Sequence, residues 1–293
     1  MKKILLIALV SVLTFSSLSA AKPKKDIYLQ LYSLRADIKQ NFSETIKALG
    51  KLGYAGVEAA SYDNGKFYGL SPVEFADALA ENGMTALSSH VKKVLPDDIT
   101  TTDWDEIWAW WETAIRAHKK AGMTYIVMPS MPKLDNLSDL KAYCNYYNEI
   151  GARCNAEGLR FGYHNHAFEF TEIEGQLMYD YMLQNTDPNK VFFQMDVYWV
   201  VRGGKSPVDY FNAYPGRFEV LHIKDDKELG ESGMVGFDAI FKNAAKAGLQ
   251  HVVVEVEQYN LKPLESVKKS LQYLHKQSFV KKSYAKKRKG GKK

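Results

Sequence analysis

Between Arg160 and Phe170 the sequence reads RFGYHNHAFEF, a strand-like run whose far end carries two histidines, an asparagine and a glutamate. A strand entering a protein core ordinarily stays apolar, so His164, His166 and Glu169 need a chemical reason. Imidazole titrates near neutral pH and either moves protons or binds metal, while a carboxylate serves as a base or a hard ligand. The same signature recurs at the ends of other apolar runs. Glu58 closes GYAGVE, His90 closes TALSSH and Asp196 closes VFFQMD; His222 and Lys224 end VLHIK, and Glu255 and Glu257 end HVVVEVE. Any one of these alone is ordinarily a satisfied structural group or a cap for the next helix. Gathered at one place, the carboxylates would repel and raise one another's pKa values, and a divalent cation relieves that repulsion. Three carboxylates and a histidine form a mixed oxygen and nitrogen site suited to Mn2+, Mg2+, Co2+ or Zn2+.

Gathering them is the task of the surrounding elements. A helix-like stretch, a glycine and an apolar strand follow one another in KLGYAGVEAA, ENGMTALSSH, KAGMTYIVMP, AEGLRFGYHN and KAGLQHVVVEVE. The glycine sits where a helix needs a left-handed C-terminal cap, and the strand starts after a short loop. Adding DIYLQLYSL, VFFQMDVYWV and FEVLHIKDD gives strands starting near Ile27, Val57, Ala86, Tyr125, Arg160, Val191, Phe218 and His251. The segments between them carry helical periodicity: FSETIKALGKLG opens on a Ser43 cap and spaces Ile46, Leu49 and Leu52 on one face. Val-, Ile- and Phe-rich strands alternating with helices predict a parallel sheet, and this many units predict a single-domain (β/α)8 TIM barrel. An open doubly wound sheet would want a glycine-rich phosphate loop, for which RGGKS at 202–206 is too short. Catalytic groups in such barrels sit at the C-terminal strand ends, so the ionisable residues converge on one mouth. Alternation puts His164 with His166, His222 with Lys224, and Glu255 with Glu257. Trp104, Trp108, Trp110 and Trp111 share a helix and read as packing residues. Tyr198 and Trp199, next to Asp196, are placed to stack on a sugar ring.

With YSLR at the first strand, GYAGVE, GYHNHAFEF, FQMDVYWV, LHIKD and VVVEVE, the chain resembles the xylose isomerase-like barrel superfamily, often called sugar phosphate isomerases/epimerases. The resemblance covers nearly all of the chain beyond its first segment. It implies one divalent metal held by Glu, Asp, His and Glu from strands five to eight. By motif these are Glu169, Asp196, His222 and Glu255. Many relatives carry the first Glu inside the strand, where this chain has His164; Glu169 is the nearby carboxylate that a short loop could fold back. The implied activity is enolisation of a keto or aldo sugar, with Mn2+ the first choice of metal. Glu255 or Glu169 would act as base and His166 or His164 as proton shuttle, while Glu58, His90, Tyr198, Trp199 and Lys224 bind substrate. Returning the proton elsewhere gives isomerisation or epimerisation. A leaving group on the β-carbon, as in a 3-keto-glycoside, turns the same machinery into a lyase.

The chain ends bear on the substrate. Lys2 and Lys3, the apolar run Ile4 to Phe15 and the small residues Ser16 to Ala21 have the layout of a secretory signal, with cleavage expected after Ala21. The apolar run is too short to span a bilayer. The expected organisation is a signal peptide at 1–21, a barrel at 22–280 and a basic disordered tail at 281–293. The mature protein is then periplasmic or secreted, without a membrane anchor. Export disfavours sugar phosphates and favours an unphosphorylated carbohydrate. The formal charge of +5 misleads, because setting aside eight basic residues in 281–293 and Lys2 and Lys3 leaves 29 basic against 34 acidic residues, about −5. An acidic fold excludes a nucleic-acid partner and argues against the endonuclease branch. A non-catalytic carbohydrate-binding barrel would lack the ligand set. Cys144 and Cys154 fall in one helix about 15 Å apart, too far for a disulfide. A homo-oligomer stays open.

Overall fold

The computed structural model describes residues 25–285; the expected signal segment and residues 286–293 of the expected tail lie outside it. Eight parallel strands close into a barrel: β1 (Ile27–Gln30), β2 (Gly56–Ala59), β3 (Thr85–His90), β4 (Tyr125–Met128), β5 (Arg160–His164), β6 (Val191–Asp196), β7 (Val220–Ile223) and β8 (His251–Val254). Neighbours follow chain order, and β1 closes the ring by pairing with β8. The expected (β/α)8 architecture is the observed one. The seventh strand starts at Val220 rather than Phe218.

The ring of helices comprises α1 (Phe42–Leu52), α2 (Pro72–Ala80), α3 (Trp104–Lys120), α4 (Leu137–Ala156), α5 (Met178–Asn185), α6 (Pro207–Ala213), α7 (Phe237–Lys242) and α8 (Pro263–Lys276). Ser43 does not cap α1. Asn41, one residue before the helix and in extended backbone, accepts from the Glu44 N–H and leaves Ser43 inside the first turn. At the other end Gly53 takes φ 93°, the left-handed cap that lets the chain turn into β2. Trp111 is buried from α3, and both cysteines are buried and free within α4. At the foot of the barrel the Asp26 N–H donates to the Lys282 carbonyl at 2.7 Å. Beside that bond the Tyr284 ring packs 6.1 Å from Phe241. The first residues of the expected tail are therefore seated on the barrel. No helix among the described residues is long and apolar enough to cross a membrane.

The barrel interior is layered along each strand. On β6 the inward positions run Phe192, Gln194, Asp196; on β7 Val220 then His222; on β8 Val253, followed by Glu255 just past the strand. Phe192 packs edge-on against Tyr125 at 5.0 Å. With Leu87, Val127, Val220 and Val253 it forms an apolar floor. Its ring lies over Gly162, where a Cβ would meet Phe192 Cζ at 2.4 Å, so β5 needs glycine there. The floor keeps water from rising into the barrel and gives the polar layer above a rigid seat. A register shift between β2 and β3 turns Ser88 inward to Glu58 while Ser89 faces outward to His118 on α3.

Candidate active site

Pairing register decides which polar groups meet above the floor. Gln194 on β6 stands beside His164 on β5, Asp196 beside His222 on β7, and Gln30 on β1 beside Glu58 on β2. Glu58, fully buried, is the hub. Its Oε1 accepts from Gln30 Nε2 at 2.7 Å and from His222 Nε2 at 2.6 Å, and lies 3.0 Å from His90 Nε2. Its Oε2 accepts from Ser88 Oγ at 2.7 Å and Gln194 Nε2 at 2.6 Å. Burial works against the Glu58 charge, yet the facing imidazoles of His90 and His222 outweigh it and hold the carboxyl well below its usual range. With its lone pairs taken and no exposed surface, Glu58 has nothing left for a substrate; the expectation that it binds one is corrected.

This network sets the proton on each imidazole. A carboxylate only accepts, so the Gln194 amide must turn its NH2 toward Glu58 and its Oε1 toward the histidines. Gln194 Oε1 then accepts from His90 Nε2 at 2.9 Å and from His164 Nδ1 at 3.2 Å. His222 likewise spends its Nε2–H on Glu58. The lone pairs of neutral His164 and His222 are consequently on Nε2 and Nδ1, away from their supporting partners. Outer partners fix ligating histidines in this way.

His164, Asp196, His222 and Glu255 are all buried, and each offers a ligand atom within 4.8 Å of the others. Asp196 caps the short helix Val197–Arg202, its Oδ1 accepting from the Trp199 N–H at 3.0 Å, which leaves Oδ2 buried without a partner. His222 Nδ1 is also buried without a hydrogen bond, Glu255 Oε2 being 3.5 Å away. Burial and the neighbouring Glu255 push Asp196 up, Lys224 only partly offsetting them. Burial alone would lower His222, but Glu58 and Glu255 push it up to about 10, so without a metal a second proton sits on Nδ1 between carboxylates. Two orphaned donor atoms and a proton held between carboxylates are what a site for a divalent cation looks like, and these four residues fit one.

Three of the four expected ligands are therefore in this group; Glu169 is not. Its Oε1 accepts from Tyr163 OH at 2.7 Å and its Oε2 from the His166 N–H at 2.8 Å. Burial pushes it up to about 7 despite those bonds. Glu169 clamps the loop after β5 with one hydrogen bond on each oxygen and, against the expectation that it is a ligand, lies outside the group of four that could hold a metal. His164, at the strand end itself, is the fourth member of that group.

The mouth opens into a cavity of about 520 Å3 lined by His90, His164, His166, Glu255 and Glu257 together with Tyr32, Tyr62, Lys92 and Ser130. His166 lies past the end of β5; burial pushes it down to about 4, and its Nδ1 has no partner. Lys224 is buried, 2.7 Å from Glu257 and 3.4 Å from Glu255, with its ammonium 5.4 Å from the Trp199 ring centre. Its charge steadies the two carboxylates. Tyr198 is buried and donates to Asp226 at 3.1 Å, so it does not stack on a sugar as expected. Trp199 stays half-buried with its ring 5.8 Å from His166. Sequence reasoning missed Gln194, although alternation from Asp196 puts this polar residue of VFFQMD on the inward face. Tyr32, Tyr62, Lys92 and Ser130 carried no comparable signal, because they lie in the connections past the barrel strands, Tyr32 in a short 3-10 turn and Tyr62 in a two-residue strand.

A family model described as xylose isomerase-like TIM barrel matches residues 46–277. Two solved structures of sugar phosphate isomerases/epimerases from Parabacteroides distasonis ATCC 8503 are similar throughout. One is 32% identical, covers 90% of this chain and 98% of that chain, and superposes with a TM-score of 0.83. The other is 34% identical, covers 88% and 100%, and has a TM-score of 0.80. An inosose dehydratase of Lacticaseibacillus casei is 27% identical over 151 residues, which are 43% of this chain and 50% of that protein. The chain thus spans about half the length of this curated relative.

Proposed function

The chain belongs to the xylose isomerase-like TIM barrel family, and within it we propose a divalent-metal-dependent enzyme that enolises a keto or aldo sugar or an oxidised, unphosphorylated glycoside. The observation that carries this reading is the buried group His164, Asp196, His222 and Glu255, with Asp196 Oδ2 and His222 Nδ1 unpartnered beside an open cavity. These four residues would hold the cation, Mn2+ first among the candidates. When bound, it supplies charge that stabilises the oxygens of a sugar carbonyl and its neighbouring hydroxyl as the adjacent C–H loses its proton. His166 is the proton-transfer group: it lines the cavity, is neutral at working pH, and its buried Nδ1 is engaged by no other residue. His90 and Lys92 orient hydroxyls, and Lys224, paired with Glu257, favours the charged form of Glu255. The apolar floor keeps bulk water from reaching the reacting carbon from below. Export through residues 1–21 belongs to the same proposal and agrees with an unphosphorylated substrate.

Elimination is the second reading. It is favoured by the inosose dehydratase among the relatives, a protein named for an elimination. The same C–H removal then expels a β-substituent, and His166 returns its proton to the leaving oxygen. Solvent exchange at the α-carbon in D2O tests the shared step, and aglycone or water loss against isomer formation separates the two readings. Metal-stripped protein should show no exchange, and Mn2+ should restore it. His166→Ala should lower exchange by about 100-fold or more with bound metal unchanged. Full exchange in metal-free protein would sink the proposal.

A further inference from the structure

The cavity at the mouth continues past its own wall. Tyr32, Ala60 and Ser61 line it on one side and also line a second cavity of about 480 Å3. The other walls of that second space include Leu31, Ile38, Phe42 and Tyr68, with Arg35 and Lys39 among its lining residues. The two spaces differ in chemistry. The first presents imidazoles, carboxylates and hydroxyls. The second presents rings and aliphatic chains: Phe42 and Tyr68 lie 5.4 Å apart, and Ile38 and Leu31 are buried beneath.

Its polar groups are mostly committed. The Tyr68 hydroxyl accepts from the Ala60 N–H at 2.8 Å. Arg35 donates to Tyr259 OH at 2.8 Å and to the Glu257 carbonyl at 3.1 Å, and its guanidinium carbon sits 4.6 Å from the Tyr32 ring centre. Tyr32 is pinned by this contact at the junction of the two cavities and is nevertheless 44% exposed. Pinned aromatic rings exposed beside a cavity are ready contact surfaces for a ligand.

We infer that this groove is a second subsite that takes the aryl aglycone of a glycoside whose sugar ring occupies the mouth. The inference rests on the sugar-handling reading of the mouth. A sugar ring brings hydroxyls on every side and would leave them unpaired against these walls, whereas an aryl ring needs only apolar contact. The cationic pair Arg35 and Lys39 suits an aryl group that carries a phenolate or carboxylate. Continuity through Tyr32, Ala60 and Ser61 puts the two halves of one molecule in contact with both spaces at once.

Two measurements on the full chain test this. Saturation-transfer NMR with 4-hydroxybenzoate alone probes the groove without any sugar, with or without metal. Binding is expected, and Phe42→Ala or the exposed Lys39→Glu should remove most of it. Should Phe42→Ala fail to fold, Lys39→Glu carries the test. No transfer to folded wild type, or transfer surviving both changes, overturns the subsite. Calorimetry on Mn2+-loaded protein then compares methyl, phenyl and 4-carboxyphenyl β-glucosides with cellobiose. Phenyl over methyl should gain about tenfold, the worth of one well-packed ring, and Lys39→Glu should erase the further preference for the carboxylated ring. Equal binding of methyl and phenyl glucosides, or a preference for cellobiose, overturns the aglycone assignment. Binding of the aryl acid with no glycoside binding at all supports the groove and counts against the sugar reading of the mouth.

Discussion

Gln194→Leu isolates the device that turns histidines toward a metal. Gln194 makes three contacts, to Glu58 Oε2 at 2.6 Å, His90 Nε2 at 2.9 Å and His164 Nδ1 at 3.2 Å. After its removal Glu58 keeps Ser88 on the same oxygen, and His90 keeps Glu58 at 3.0 Å. His164 Nδ1–H alone is stranded, and a buried donor without a partner costs about 1–3 kcal/mol. The cheapest relief is for the ring to move its proton to Nε2, which removes the lone pair that faces the site. Losing such an outer partner weakens metal binding by about 10–100-fold. Calorimetric titration of stripped protein with Mn2+ or Zn2+ reads the affinity, and urea unfolding of the apo form reads the stability. Gln194→Glu is the rescue: protonated, it donates to Glu58 and accepts from His164 as the amide does, so affinity should recover as pH is lowered toward 6. Wild-type metal affinity in Gln194→Leu would refute the tautomer assignment.

Glu169→Gln should keep one metal equivalent, because Glu169 is a loop clamp; the amide oxygen can accept from the His166 N–H while its NH2 donates to the Tyr163 hydroxyl, so thermal unfolding should shift by less than about 1 kcal/mol. His164→Ala should lose tight binding, and metal analysis showing the opposite pattern returns Glu169 to the ligand set. Burial pushes His118 on α3 down to about 4 from the usual 6.5. Below pH 6.5 the unfolded chain takes up a proton that the folded chain refuses, so the stability this residue contributes is present above pH 6.5 and lost as pH falls toward 4, about 3 kcal/mol in all. His118→Gln should flatten that part of the profile in urea unfolding at pH 7 and 4.5; parallel losses in both proteins would speak against a buried neutral ring. Truncation before Lys281 removes the Asp26–Lys282 bond and the Tyr284 contact with Phe241, and should lower the melting temperature by a few degrees, the effect of about 1–2 kcal/mol. Truncation after Ala285 should change nothing, and the pair of melting curves decides between a seated and a free segment.

The barrel was legible because its signals are local and repeated: a glycine cap, then an apolar strand, with period-2 burial inside it. Polar residues at strand ends could be placed at the mouth for the same reason, since alternation from Asp196, His222 and Glu255 is enough to aim them. What escaped were the pairings that tertiary register creates. Glu58 read as substrate-facing because its strand end is at the mouth, yet donors from β1, β3, β6 and β7 meet on it and take every lone pair. Glu169 read as a ligand because it is a carboxylate near the right strand. Its real partners are the Tyr163 hydroxyl and a backbone N–H of its own loop, and loop closure of this kind leaves no periodic trace. Ser43 lost the cap to Asn41 because a short helix at 35–40 breaks at 41, where the single extended residue starts α1, a boundary that composition alone does not mark.

A histidine rather than a carboxylate at position 164 has a consequence in charge. Asp196 and Glu255 are the two carboxylates that face the ligand group, and together they balance a dication. Glu58 behind them is answered by four side-chain donors and His90, and Lys224 answers Glu257. A third carboxylate at 164 would add a buried negative charge next to Asp196, which burial and Glu255 already push toward the neutral acid. It would also face the Gln194 carbonyl oxygen, which accepts from His164 and could not donate to a carboxylate. His164 and Gln194 are thus one choice: the amide orientation demanded by Glu58 accepts an imidazole N–H and rejects a carboxylate. A centre with two carboxylates and two neutral imidazoles leaves more of the cation's charge for substrate oxygens than one with three carboxylates. His164 is for that reason tied to Gln194 on the neighbouring strand rather than to the loop that holds Glu169.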